Sequence, residues 1–213
     1  MTIGEIKMEA LRLMFANYAT ELYSDDENMD ALMNNESYAS YLVNMPGSIN
    51  RALQEIFNKV DMPPKEYEIE NDRAEDYNGF DAFNLGAILP DYNKIVRVDN
   101  LYRGEYLQDV RYQMSGKKLL LPKRRRGAWI VKYRQKVPKI LPTTSNDTEL
   151  DIPEYLCHAI PYAIKGDLYQ DDEPNLAMEA KNWFEQLLAE YVPESDRNPS
   201  DSIDIMYGVQ YEG

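Results

Sequence analysis

The sequence predicts an α+β fold: an antiparallel helical bundle interrupted by a β-rich insertion, a small sandwich or barrel, and followed by an extended C-terminal tail. Three observations predict it. Apolar residues recur at three- and four-residue steps near both ends of the chain, the period shortens toward two between Glu66 and Lys139, and the residues after Pro193 are mostly polar. With 44% hydrophobic and 28% charged residues over 213 positions, the chain carries enough apolar material for one sizeable core or two small ones. The predicted division assigns residues 1–62 and 142–193 to the helical part, 63–141 to the insertion and 194–213 to the tail.

Ile6, Leu11, Leu13, Met14, Tyr18 and Leu22 fall on one helical face with no internal proline, so a first helix is expected to run to about Tyr23-Ser24. Asp25-Asp26-Glu27-Asn28 reads as a solvated loop, because the glycine and terminal glutamate of a calcium loop are missing at the required spacing. The chain is expected to turn at Pro46-Gly47, with Pro46 opening a second helix that buries Ile49, Leu53, Ile56, Phe57 and Val60 and stops at Met62-Pro63-Pro64.

Short strands follow at Tyr67 and Ile69, Ile95 to Val98, Leu107 to Tyr112, Leu119 to Leu121, and Trp129 to Tyr133. They are punctuated by Asn78-Gly79, Leu89-Pro90-Asp91, Arg103-Gly104, Ser115-Gly116 and Arg126-Gly127, of which Ser115-Gly116 is the best hairpin candidate. Helical signals return with Asp151 as N-cap, Pro153 in the first turn and a stripe from Tyr155 to Ile164 kinked at Pro161. The last helix is capped by Asp172 or Glu173, opened by Pro174, closed by Pro193, and presents Ala177, Ala180, Phe184, Leu187, Leu188 and Tyr191 on one face. In the tail, Ile203, Ile205, Tyr207 and Val209 alternate as on one face of a strand, a pattern suited to partner binding at a sheet edge or groove.

No run approaches the roughly 18 apolar residues of a membrane span, and Met1 to Lys7 lack the basic-then-apolar order of a secretory signal. The single Cys157 excludes an intrachain disulfide framework and points to folding in a reducing cytoplasm. His158, the one imidazole, is the helical neighbour of Cys157, and adjacent helical side chains diverge by about 100°, so the two make no dyad. None of the ten glycines builds a phosphate-cradling loop, and 37 acidic residues make chance carboxylate pairs common. No catalytic constellation, cofactor site or metal site stands above background, and the protein is expected not to be an enzyme.

Charge is segregated. The net charge of -14 divides into -12 for residues 1–93, +11 for 94–139 and -13 for 140–213. The positive centre is Lys117, Lys118, Lys123, Arg124, Arg125 and Arg126, read as a basic loop flanked by strands with Tyr112 and Trp129 nearby. Such a patch serves either nucleic acid or an acidic neighbouring subunit. The 17 tyrosines fit extensive subunit interfaces and fit a tyrosine-rich core equally well.

Two stretches carry a family resemblance. Tyr41 to Ile56, with Ile49-Asn50-Arg51-Ala52 at its centre, resembles the early helix of the head-to-tail adaptor (connector) proteins that sit beneath the portal of tailed bacteriophages. Leu150 to Tyr191, especially Leu168-Tyr169-Gln170-Asp171-Asp172-Glu173-Pro174-Asn175-Leu176-Ala177 followed by Trp183-Phe184, is similar to that family's final helical hairpin. The long insertion is closest to the adaptors of short-tailed phages, and the basic 117–126 stretch departs from a uniformly acidic channel protein. The resemblance implies a structural virion protein of the neck, assembled in the host cytoplasm as a ring, usually of twelve copies. Its implied partners are the portal, copies of itself, tail or nozzle proteins and, non-specifically, the packaged DNA. The rival expectation from the residues alone is a sequence-tolerant nucleic-acid-binding β-domain.

Overall fold

The longest periodic segments become helices, and their ends are held by side chains that the periodicity does not reveal. In the computed structural model, which describes residues 1–15, 32–69, 74–123 and 127–191, α1 spans Ile3–Phe15 and buries Ile3, Ile6, Ala10, Leu11 and Met14. Thr2 and Glu5 form a reciprocal cap. Thr2 N donates to Glu5 Oε2 at 2.7 Å and Glu5 N donates to Thr2 Oγ1 at 3.1 Å, satisfying two otherwise orphaned donors and holding the Glu5 carboxyl below its ordinary range. The expected extension of this helix through Tyr18 and Leu22, and the Asp25 to Asn28 loop, lie outside the described residues, as do residues 194–213 with Ile203, Ile205, Tyr207 and Val209.

Pro46 does not start the second helix. Helix α2 runs Glu36–Lys59 with Asn35 at its N-cap accepting from Ser37 N at 3.0 Å, and Pro46 lies buried in its interior. A proline there forfeits a backbone bond to the Leu42 carbonyl. The helix continues because Tyr38, Leu42, Met45, Ile49, Leu53 and Ile56 form one buried face across the proline, so packing on both sides outweighs the local penalty.

The Asp151 to Ile164 stripe is two helices rather than one kinked helix. α4 (Glu154–Cys157) starts after Pro153, not at an Asp151 cap, and α5 (Ile160–Leu168) carries Pro161 in its own first turn, where a missing N–H costs nothing. α6 spans Pro174–Glu190 and buries Ala177, Ala180, Phe184 and Leu188; Glu173 holds the N-cap position without a side-chain capping bond. α5 packs against α6, α2 and α1. It is also bonded to α1, with Lys165 Nζ donating to Leu13 O at 2.9 Å and Tyr169 Oη to Met14 O at 2.7 Å.

The residues following the insertion are clamped to α2. Asn50 Nδ2 donates to Ile140 O at 2.7 Å while Ile140 N donates to Asn50 Oδ1 at 2.8 Å, so one side-chain amide satisfies both backbone groups of Ile140. On either side of Asn50, Ser48 Oγ donates to Asp167 Oδ2 at 2.5 Å and Arg51 Nε to the same oxygen at 3.0 Å. Farther along, Ile3 N donates to Thr148 O and Leu150 N to Met1 O, while Lys7 Nζ reaches Asn146 Oδ1 at 2.9 Å.

The chain divides into two compact units, Met1–Asp61 with Val137–Gly213, and Met62–Lys136. The second holds β1 (Lys65–Ile69), β2 (Glu75–Tyr77), β3 (Phe80–Asn84), the single turn α3 (Leu85–Ile88), β4 (Tyr92–Tyr102), β5 (Glu105–Leu107), β6 (Gln113–Ser115), β7 (Lys118–Pro122) and β8 (Ala128–Gln135). They form two antiparallel four-stranded sheets, ordered β1-β8-β4-β5 and β2-β3-β7-β6. Ile69, Ile95, Val98, Trp129 and Val131 from the first and Phe83, Leu119 and Leu121 from the second make one apolar core. β4 shifts register between Ile95 and Arg97, which brings Ile95 and Val98 to the same side and leaves Val96 exposed.

Three hairpin turns follow the twist rule. Asn78-Gly79 and Arg103-Gly104 both have positive φ at the two turn positions, and Gly116 supplies the single positive φ between β6 and β7. Gly127 is required for another reason: at φ +100° a Cβ there would stand 2.1 Å from Leu101 O, so the neighbouring backbone occupies the space. The expected strand from Leu107 to Tyr112 is interrupted. Asp109, at φ 53°, turns the chain from the first sheet toward the second, and only residues 105–107 and 113–115 pair as strands.

The clamp is testable. Asn50→Ala leaves the Ile140 amide and carbonyl unpaired in a half-buried position, and the expected loss is about 1–3 kcal/mol, read as a lower urea midpoint with an unchanged slope. An unchanged midpoint would mean that water replaces the side chain at no cost.

Candidate interaction surface

The basic stretch 117–126 is not one loop. Its centre, Leu119-Leu120-Leu121, is strand β7, with Leu119 and Leu121 in the core and Leu120 buried on the other face beside Ala82, its partner in β3. Three consecutive apolar residues become a strand because both faces of β7 are covered. Consequently Lys117 and Lys118 stand at the β6–β7 turn while Lys123 follows the opposite end of the strand, about 16 Å from Lys118 at the rise of an extended chain. Arg124, Arg125 and Arg126 lie outside the described residues.

Both described ends are ion-paired to β2. Lys118 Nζ lies 2.7 Å from Glu75 Oε2 and 5.7 Å from the centroid of the Tyr77 ring, and Lys123 pairs with Asp76. Lys123 holds the Asp76 carboxyl below its usual range, and Glu75 raises the Lys118 ammonium above its own. All four side chains are solvent-accessible, so the pairs are weak and the cations can exchange partners.

The crossing between sheets creates a concave feature beside this strand. Buried Asp99 anchors it, its Oδ1 accepting from Asp109 N at 2.9 Å and lying 3.0 Å from Arg97 Nε, while Val110 N donates to Val98 O at 2.7 Å. Residues 109–113 then leave an open groove of about 420 Å³ over Phe80, Leu120 and Pro122, walled by Val110 and Tyr112, with Arg111 exposed beside it. Two aromatic rings, an aliphatic floor and one guanidinium suit an extended or planar apolar group carrying negative charge. Phe80 and Arg111 were not legible as site residues. The Asn78-Gly79 hairpin signal could have placed Phe80 on a strand, but the groove exists only because Asp109 diverts the chain.

The thiol and the imidazole, consecutive in the chain, sit in different environments, one buried and one exposed. Cys157 is fully buried, and burial pushes its thiol up to about 11. His158 is half-exposed and its Nδ1 lies 3.6 Å from Glu9 Oε2. Among the described residues no group of three or more His, Cys, Asp or Glu is arranged to hold a metal ion, and no helix is long and apolar enough to cross a membrane. No protein-family model and no curated protein matches the chain.

Two outcomes follow for Cys157. Aromatic disulfide reagents at pH 8 should label it only after denaturant is added; rapid labelling of the native protein would contradict its burial. Its value near 11 in the fold exceeds the ordinary 9.0, so the stability it contributes is present below pH 9 and lost as pH rises through 11. Cys157→Ala should flatten that part of the stability profile.

Proposed function

We propose that the protein is a head-to-tail adaptor of a short-tailed bacteriophage, a structural subunit that forms a ring under the portal, prolongs the DNA channel and offers a platform to tail or nozzle proteins. The helical unit serves as the bundle and residues 62–136 as the small β sandwich of that architecture, with the tail reaching the portal or a neighbouring subunit. Its action is mechanical, without turnover or cofactor, and its place is the virion neck.

One observation carries the reading: charge divides along the boundary between the units. Residues 62–136 hold 15 Lys and Arg against 11 Asp and Glu, whereas the remainder of the chain holds 8 against 26. A ring needs two different, complementary surfaces on each subunit, and a basic unit inserted in an acidic one supplies them. The resemblance of Tyr41 to Ile56 and Leu150 to Tyr191 supports the same reading. Ile49 and Ala52 are buried, Asn50 clamps Ile140 and Arg51 bonds Asp167, so each residue of the Ile-Asn-Arg-Ala core has a structural role. A second reading, a sequence-tolerant nucleic-acid-binding module, draws on the groove where Phe80, Tyr112 and Arg111 come together.

Imaging the protein mixed with its portal tests the proposal directly. The isolated chain should sediment as a monomer and form rings only with portal, because a subunit at -14 repels its copies until a template aligns them. Replacing Lys123, Arg124, Arg125 and Arg126 by Ser should lower ring occupancy, most at low salt. Stable rings without portal, or salt-dependent DNA binding by a monomer that ignores portal, would sink the reading.

The tail gives an independent test. Ile203, Ile205, Tyr207 and Val209 can each return roughly 1.5–3 kcal/mol on burial against a partner, so deleting residues 200–213 should abolish portal binding and leave the melting temperature unchanged. A lower melting temperature with binding intact would assign the segment to its own subunit's core.

A further inference from the structure

The helical unit presents an apolar stripe, centred on Trp183, that its own packing covers only in part. Helix α6 buries Ala177, Ala180, Phe184 and Leu188, and Gly166 of α5 allows the two helices to close, since a Cβ there would stand 2.7 Å from Lys181 Cγ and 3.2 Å from Ala177 O. Beside that buried face, at i, i+7 and i+11, run Leu176, Trp183 and Leu187. Trp183 is 47% exposed and Leu176 39%. Tyr162 of α5 meets the indole with ring centroids 6.4 Å apart, and Tyr155 stacks on Tyr191 at the end of the same helix.

The solvent side of the stripe is acidic. Glu179 and Glu190 follow it along α6, and Glu190 Oε2 accepts from Tyr155 Oη at 3.3 Å. Two copies meeting through this face by a twofold axis would oppose like charges around the indoles, so the matching surface is a different and basic one. Within this chain the positive excess is carried by residues 62–136. There the β4–β5 hairpin exposes Tyr106 and Leu107 beside Arg103, which occupies a left-handed turn position that asparagine or glycine fills without strain. Aromatic faces attract guanidinium groups, and the acidic rim reinforces that preference.

We infer that the Leu176, Trp183 and Tyr162 stripe is the surface one copy presents to the basic β unit of the next copy. The inference rests on the ring reading and names the contact that closes the ring. It is a heterologous contact: apolar centre, charged rim, with a tryptophan anchor of the kind that dominates interface energetics.

The chain has two tryptophans, and Trp129 is fully buried, so acrylamide quenching of the unmodified protein reports Trp183. On portal-templated rings the quenchable component should disappear and the emission shift to the blue. A benzophenone amino acid in place of Trp183 should cross-link, in those rings, to residues 62–136 of a second copy. Trp183→Asp should lose ring formation while keeping the melting temperature and circular dichroism of the parent. Rings in which Trp183 stays quenchable, cross-links that fall on the helical unit of the second copy, or rings formed normally by Trp183→Asp would overturn this inference and leave the adaptor reading intact. If portal templates no ring at all, both fall together.

Discussion

Everything in the helical unit depends on how the chain re-enters it after seventy-odd residues of β structure. An insertion of that length is entropically costly to close unless its return point is fixed, although the cost grows only slowly with length. Asn50 fixes it. Its amide donates and accepts in the fork spacing of a peptide group, so it pairs with Ile140 as a neighbouring strand would. With Ile140 held on α2, residues 146–150 meet the N-terminus through Ile3 N to Thr148 O and Leu150 N to Met1 O. Helix α5 then lies where Asp167 can accept from Ser48 and Arg51, and where Lys165 and Tyr169 can donate to the Leu13 and Met14 carbonyls of α1.

The β unit solves a different problem, how two small sheets avoid open edges. The chain visits the first sheet, twice the second, twice the first, twice the second and then the first again, so that residues 108–112 cross from one sheet's edge to the other's. The crossing is held by Asp99, a buried carboxylate tolerated because Arg97 and the Asp109 amide both address it. The groove over Phe80 and Leu120 is a consequence of that diversion. Of the four edge strands in this unit, β2, β5 and β6 are three residues long, a length that gives foreign strands little to pair with, and β1 is five.

In the proposed ring, charge and aromatic placement connect this architecture to assembly. The ion pairs of Lys118 with Glu75 and Lys123 with Asp76 are exposed and replaceable, so they leave the cations free to change partners. On the helical unit Trp183 lies against Tyr162 with about half of its surface exposed beside glutamates of α6. A surface of that kind is stable in a monomer with strong like charge and becomes adhesive when an opposite charge is brought to it.

How much of this was legible in the residues follows from range. The two classes of element, the Ser115-Gly116 hairpin, the opening of the last helix at Pro174 and the inward face of Ala177, Ala180, Phe184 and Leu188 were all readable, because periodicity and turn chemistry are local. Local signals misled where packing overrode them: Pro46 reads as a helix start, yet the continuous face from Tyr38 to Ile56 carries the helix through it. The basic 117–126 stretch reads as one loop because its charges are consecutive, but the three leucines within it are covered on both faces and separate the cations to opposite ends of a strand. The sequence by itself determined composition, charge segregation and element type. Which residues meet, Asn50 with Ile140, Asp99 with Asp109, Trp183 with Tyr162, was decided only by tertiary structure, because each pairing joins positions whose proximity no local pattern encodes.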